Sequence, residues 1–296
     1  MNECALTQLL VVGLPATGKT TFLAALWHVA ESAEIRCSLV VSRYHGDREY
    51  LNKIRDEWLE YRQLPRTGLV DEQSVSMRLV RRAGGSEVEV VFPDMSGESF
   101  KLQWTDRRWS VEYSRLVSQA AGVLLFVHPD EVVEPTRIDQ ANRLVAELPE
   151  VPEPPTDAEF EESVEWDPSQ APTQVQLVEL LQFISDHAAE KRFRIGVIVS
   201  AWDLVRDNGV APEEWVGQRL PLLSQYLRAN SDDYPYRVFG VSAQGGDLQR
   251  DSARLRKCIR PSDRVGVTGL DCATHDLTAV VGWVMGGSLA AGVQSR

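Results

Sequence analysis

The residues with the clearest chemical potential lie at positions 13 to 20. There Gly13-Leu14-Pro15-Ala16-Thr17-Gly18-Lys19-Thr20 fits G-x-x-x-x-G-K-[ST] in full. Glycine at both ends lets the backbone close around an anion. Successive N–H groups and the positive end of the following helix then replace its hydration water. A triphosphate suits such a cradle. Gly13, Ala16, Thr17, Gly18 and Thr21 are expected to wrap it, Lys19 to reach its β and γ phosphates, and the Thr20 hydroxyl to ligate Mg2+. The plain alternative is a glycine-rich turn with an incidental lysine. Context argues against it, because the apolar run Leu9 to Val12 precedes the motif and an amphipathic stretch follows it.

A second constellation follows at Val90-Val91-Phe92-Pro93-Asp94-Met95-Ser96-Gly97-Glu98, an apolar strand that ends in D-x-x-G. An aspartate at a strand end can hold Mg2+ through its water shell, and the Gly97 N–H can bond a γ-phosphate, so Asp94 and Gly97 are expected to sense the nucleotide. Alone, D-x-x-G is a common turn. The remaining metal ligand is expected from Thr67, in the Pro- and Gly-marked loop Leu64-Pro65-Arg66-Thr67-Gly68.

Two further strand ends carry polar residues. Ile198-Val199-Ser200-Ala201-Trp202-Asp203 ends in an acid that can accept both N1–H and the N2 amino hydrogen of guanine, a pair that adenine does not offer. Ser200 is expected to line the same site, and Trp202 to cover the base. An acidic cap on the next helix is the alternative role for Asp203. Forty residues on, Ser242-Ala243-Gln244 follows another apolar run and would offer a backbone N–H to guanine O6.

The elements that must position these residues are legible as hydrophobic patterns. Leu9 to Val12, Gly122 to Val127 and Ile195 to Val199 read as buried strands, with Val238 to Val241 the last. Val75, Met77 and Leu79 alternate with polar neighbours, and Val88 to Phe92 forms a hairpin partner across Gly84-Gly85. Cys37 to Ser42 is a further candidate strand. Apolar spacing of three and four predicts helices over 19–34, 47–62 and about 276–285. Strands alternating with helices imply an α/β fold with a three-layer, mostly parallel sheet. Positions 147–172 form an acidic, Pro-rich insert with loop composition, since Glu147 to Asp167 holds nine acids and no Lys or Arg. Positions 247–296 read as a C-terminal extension that ends in a helix.

With 296 residues and 43% hydrophobic content, the chain can bury one large core, so a single domain over 1–296 is expected. A net charge of -12 repels polyanions, which argues against nucleic acid as a partner. Cys4, Cys37, Cys258 and Cys272 form no C-x-x-C pair, so a zinc site is not expected and a reducing cytoplasm fits. The first basic residue is Lys19, which argues against a secretory signal, and no run of eighteen apolar residues suggests a membrane span.

Taken in order, Gly13 to Thr20, Thr67, Asp94 to Gly97, Ser200 to Asp203 and Ser242 to Gln244 resemble the translation-factor-related branch of P-loop GTPases, which includes Ras-like and Gα-like proteins. The resemblance covers Leu6 to about Gly246. More narrowly, G-x-P-x-x-G-K-T-T with F-P-D-x-S-G-E, S-A-W-D and a terminal His275-Asp276-Leu277-Thr278 is similar to the bacterial double-GTPase family of conflict and defence systems. The resemblance implies a P-loop NTPase fold, GTP and GDP as ligands, Mg2+, and a partner protein that could be a second GTPase.

Ser200 and Ala201 depart from the N-K-x-D pattern, and Glu98 stands where Ras-like proteins carry a water-orienting Gln. A carboxylate beside a γ-phosphate adds like-charge repulsion, yet it could accept the water's proton if its pKa were raised. With Glu98 in this position slow hydrolysis is expected; Lys19 is the catalytic cation, and Arg66, which resembles the internal arginine of Gα-like proteins, would help offset charge in the transition state or else is a surface charge. Two other readings stay open. One is a P-loop kinase for a small acceptor, with Arg250, Arg254, Arg256 and Arg260 as a lid, and the other is a scaffold that holds GTP without hydrolysing it.

Overall fold

A computed structural model describes residues 7–42, 48–62, 64, 75–82, 87–93, 104–136, 138–147, 167–188, 192–206, 209–270 and 275–286. Its centre is β1 (Thr7–Gly13), whose Leu and Val run is buried on both faces. Leu9 and Val11 point to one face and Leu10 and Val12 to the other, as the two-residue period of a strand requires. Strands β2 (Leu39–Val41), β3 (Val75–Arg81), β4 (Glu87–Phe92), β5 (Ala120–Val127), β6 (Arg194–Ser200), β7 (Tyr236–Ser242) and β8 (Gly266–Thr268) complete one sheet. Its order is β2-β3-β4-β1-β5-β6-β7-β8. From β4 across to β7 all neighbours are parallel, and the outer pairs are antiparallel.

Helices cover both faces, which gives the three-layer, mostly parallel α/β arrangement that the alternation implied. On one face lie α1 (Lys19–Ser32), α2 (Arg48–Leu59) and, closing the described chain, Thr278–Val284. Their buried residues include Phe22, Leu26, Trp27, Ile54, Trp58 and Val281. The opposite face carries α3 (Val111–Gln119) and α5 (Thr173–His187), with α6 (Pro212–Arg219) and α7 (Pro221–Ala229) beside them; α4 (Ile138–Glu147) lies between α3 and α5 in sequence. Four helices on this face add to those expected.

One strand expectation is corrected. Val238 to Val241 is not the end of the sheet, because β8 pairs antiparallel with β7 through Ser242 and Gly266. Three residues with one buried side chain between a half-buried and an exposed position carry too little alternation to announce a strand. Of the acidic insert, positions 148–166 lie outside the described residues. The extension from 247 contains the short α8 (Ser252–Leu255), β8 and the final helix α9 (Thr278–Val284).

The final helix is held by packing and by a polar clamp. Val284 fills the space left by two strand glycines: a Cβ on Gly122 would lie 2.4 Å from Val284 Cγ1, and one on Gly196 would lie 2.9 Å from Cγ2. The clamp is Asp276, which is 5% exposed. It accepts from Ser38 N at 2.8 Å and Ser38 Oγ at 2.7 Å, and from Thr278 N at 2.9 Å. Thr278 Oγ1 also bonds Asp276 and accepts from Leu39 N at 2.9 Å, so the H-D-L-T segment ties the last helix to β2. Asp276→Ala would leave the two buried Thr278 donors, and the two of Ser38, without this acceptor. It is expected to lower unfolding stability by about 2–3 kcal/mol, read as a shift in urea midpoint at constant slope.

Candidate phosphate- and base-binding site

The phosphate loop is shaped by close approach at both ends. Gly13 has φ +148°, and a Cβ there would sit 2.7 Å from the carbonyl oxygen of Phe126 on β5. Gly18 caps α1 at φ +82°, where a Cβ would lie 3.3 Å from Ser200 Oγ. Ala16 between them is also left-handed, at φ 62°, a strained conformation for a residue with a Cβ. No side chain caps α1 and no acid stands in its first turn, so within the helix itself nothing offsets the positive end that faces the loop.

Lys19 folds back into this loop. Its Nζ donates to Gly13 O at 2.9 Å, to Leu14 O at 2.7 Å and to Thr17 Oγ1 at 3.3 Å. Thr17 is buried and donates to Leu14 O at 2.8 Å. These partners satisfy the ammonium hydrogens, and none of them among the described residues carries a negative charge. Burial accordingly lowers the Lys19 pKa to about 8. Thr20 and Thr21 follow in the first turn of α1.

At the other end, Asp203 lies in a short 3-10 turn, Trp202–Leu204, directly after β6. Ser242 Oγ, at the end of β7, hydrogen-bonds one carboxylate oxygen of Asp203, which leaves the second to accept elsewhere. Ser200 Oγ donates to Val127 O at 3.1 Å, so it bridges β6 to β5 behind the phosphate loop. Trp202 does not take the covering position expected for it. It is 3% exposed, and its ring fills the space above Gly240, where a Cβ would collide with it at 2.4 Å. The amide nitrogen of Gln244 is buried with no hydrogen-bond partner among the described residues.

The fold thus brings Gly13, Ala16, Thr17, Gly18, Lys19, Thr20, Thr21, Ser200, Asp203, Ser242, Ala243 and Gln244 to one edge of the sheet, at and beyond the C-terminal ends of β1, β6 and β7. Arg66, Thr67, Asp94, Gly97 and Glu98 lie outside the described residues. The arginines considered as a kinase lid have partners within the β7–β8 connection and on the elements beside it. Arg250 and Arg254 pair with Asp247 and Asp251, Arg260 pairs with Asp263, and Arg256 lies over the Tyr61 ring. Arg254 also lines a cleft of about 500 Å3 with Arg206, Lys257 and Arg264, beside Ser242 and Gly245.

Three residues at this edge carried no signal in the sequence. Trp58 on α2 donates from Nε1 to Ala243 O at 3.2 Å, Arg264 donates to Trp58 O at 2.7 Å, and Tyr61 donates to Leu255 O at 2.7 Å. Trp58 and Tyr61 read only as part of an apolar helix face. Nothing in spacing separates an indole that packs from one that also donates.

A parallel-rich sheet of this order, with G-x-x-x-x-G-K-[ST] at the exit of its central strand, is the fold of a P-loop GTPase. The chain belongs to the Double-GTPase 1 family, whose sequence pattern matches residues 10–284. Among solved structures it is similar to a bacterial selenocysteine-specific elongation factor, at 14% identity and a TM-score of 0.38. That likeness covers 86% of this chain and 29% of the factor, so this chain spans less than a third of its length. No curated protein matches the chain. Among the described residues no helix is long and apolar enough to cross a membrane.

The lowered Lys19 pKa has a measurable consequence. At pH 9 much of this group is neutral in the empty loop, and a triphosphate beside it would favour the charged form. Binding is therefore expected to take up a proton at pH 9 and close to none at pH 6.5. Calorimetry in two buffers of different ionisation enthalpy reads that uptake, and Lys19→Ala should abolish it.

Proposed function

We propose that the chain is a GTP-dependent molecular switch with slow hydrolysis, in which Mg2+ and the γ-phosphate order the Thr67 and Asp94 loops for a partner to read. The observation that carries this reading is the hydrogen bond from Ser242 to Asp203. It orients a carboxylate at the same sheet edge as the uncapped, lysine-filled loop after β1, as a site for both a guanine and a triphosphate requires. The loop itself fits the anion, with left-handed backbone at Ala16 and Gly18 and a buried cation.

Hydroxyl and carboxylate oxygens from Thr20, Thr67 and Asp94 are the donor class that Mg2+ takes, and the ion would supply charge neutralisation between the β and γ phosphates. Lys19 would leave its carbonyl partners and hold those phosphate oxygens. Gly97 would bond the γ-phosphate through its N–H, and Ala243 would offer its N–H to guanine O6. Ser200 keeps contact with the back of the loop at Gly18. Glu98 would place a negative charge near the γ-phosphate, which slows turnover, while Arg66 would offset charge in the transition state. GTP and GDP are then the ligands, a cytoplasmic protein of a bacterial conflict or defence system is the setting, and a second GTPase is the partner class.

Two results test this reading. Asp203→Asn removes the acceptor for guanine's N–H groups. GTP affinity is expected to fall about a hundredfold while ATP affinity moves less than about threefold, measured by equilibrium titration; equal GTP binding by variant and wild type would remove Asp203 from base reading. Glu98→Gln removes the like charge, and single-turnover phosphate release is expected to accelerate about tenfold. An unchanged rate would take Glu98 out of the mechanism.

A further inference from the structure

The loop Ser242 to Gly246 is held from outside the strand that carries it. Before Ala243, Ser242 is tied to Asp203. After it, the Ala243 carbonyl accepts from Trp58 Nε1 at 3.2 Å, a fully buried indole on α2. Further on, Arg254 Nη2 donates to Gly245 O at 2.8 Å. Gly245 turns at φ +87° against Arg264, where a Cβ would lie 2.4 Å from the Arg264 carbonyl oxygen.

Arg264 closes the circuit. Its guanidinium lies 3.6 Å from the centre of the Trp58 ring and 4.5 Å from that of Tyr61, and its Nη2 donates to Trp58 O at 2.7 Å. The residue is 7% exposed, its Nε and Nη1 have no hydrogen-bond partner in a buried setting among the described residues, and its charge meets the Trp58 and Tyr61 rings, with Cys258 and Glu34 also near enough to act on it. A charged group this dehydrated is held in one orientation by its surroundings, and it fixes the end of α2 in turn.

We propose that Trp58 and Arg264 are positioning residues for base recognition: by fixing the Ala243 carbonyl they aim the Ala243 N–H at the 6-oxygen of a purine. The inference rests on the guanine-reading function proposed above. Its physical basis is that an N–H and a carbonyl on the same Cα are separated by two backbone torsions. Holding Ser242 on one side and the Ala243 carbonyl on the other leaves those torsions little freedom. A preset donor meets its acceptor without the entropy of ordering the loop at each binding event.

The test uses the purified full chain and three ligands: GTP, ITP and 2-aminopurine riboside triphosphate. GTP and ITP carry the 6-oxygen and the third lacks it. Trp58→Phe keeps an aromatic ring and loses the donor. It is expected to weaken GTP and ITP binding about tenfold, equivalent to about 1.4 kcal/mol, and to leave 2-aminopurine triphosphate within about twofold of wild type. Arg264→Lys, which keeps the charge and loses the flat stack, should show the same selectivity.

Equal weakening of all three nucleotides by Trp58→Phe would mean a merely structural role and overturn the proposal, as would no weakening at all. Asp203→Ala run alongside separates the two readings. If it weakens GTP while Trp58→Phe is silent, the positioning role alone fails. If Asp203→Ala leaves GTP unchanged, guanine reading at Asp203 fails, and the positioning role is then decided by whether the Trp58→Phe loss depends on the 6-oxygen.

Discussion

An ammonium group drawn into a backbone loop, with carbonyl oxygens and no carboxylate as its partners among the described residues, costs free energy until an anion joins it. Lys19 is in that condition: Gly13 and Leu14 supply oxygens at 2.9 and 2.7 Å, and burial moves its pKa down to about 8. Left-handed backbone at Ala16 adds local strain, and the N-terminus of α1 has no side-chain cap. Each of these is unfavourable without an anion beside it. Together they are the features expected of a loop that takes up a polyphosphate.

Rigidity of the support is what makes this tolerable. β1 is the central strand, flanked by parallel β4 and β5, and its exit glycine passes so near Phe126 that no side chain would fit. Parallel pairing of β4, β1, β5, β6 and β7 sends all their C-terminal ends to one edge. In a sheet of this kind ligands are bound outside those ends. The Lys19 loop, the Asp203 turn and the Ser242 loop are therefore placed by topology before any side chain contributes. β4 ends at Phe92, two positions before Asp94, at the same edge.

What could be read from sequence follows from how local the cause is. The loop at 13–20 declares itself because its chemistry is set by consecutive residues, and the buried strands declare themselves because a parallel strand is apolar on both faces. β8 does not, since three residues at the sheet margin owe their conformation to pairing with β7. Trp202 followed a substitution pattern to the wrong place. Its ring is expected over the base, whereas Gly240 leaves a space beneath it that packing fills. Trp58 and Arg264 meet the Ser242 to Gly246 loop across long sequence separations, through an indole N–H and a guanidinium whose roles no periodicity reports. The Asp276 clamp sits between these cases: its motif was visible as a family resemblance, and its use, tying β2 to the last helix, emerges only from the contacts.

The most direct measurement is a structure of the chain crystallised with Mg2+ and a non-hydrolysable GTP analogue. The account predicts phosphate oxygens among the backbone N–H groups of residues 14–20, Lys19 Nζ moved from the Gly13 and Leu14 carbonyls onto the phosphates, and guanine against the second oxygen of Asp203. A lysine still bonded to those carbonyls beside an empty loop, with the nucleotide bound elsewhere or not at all, would contradict it.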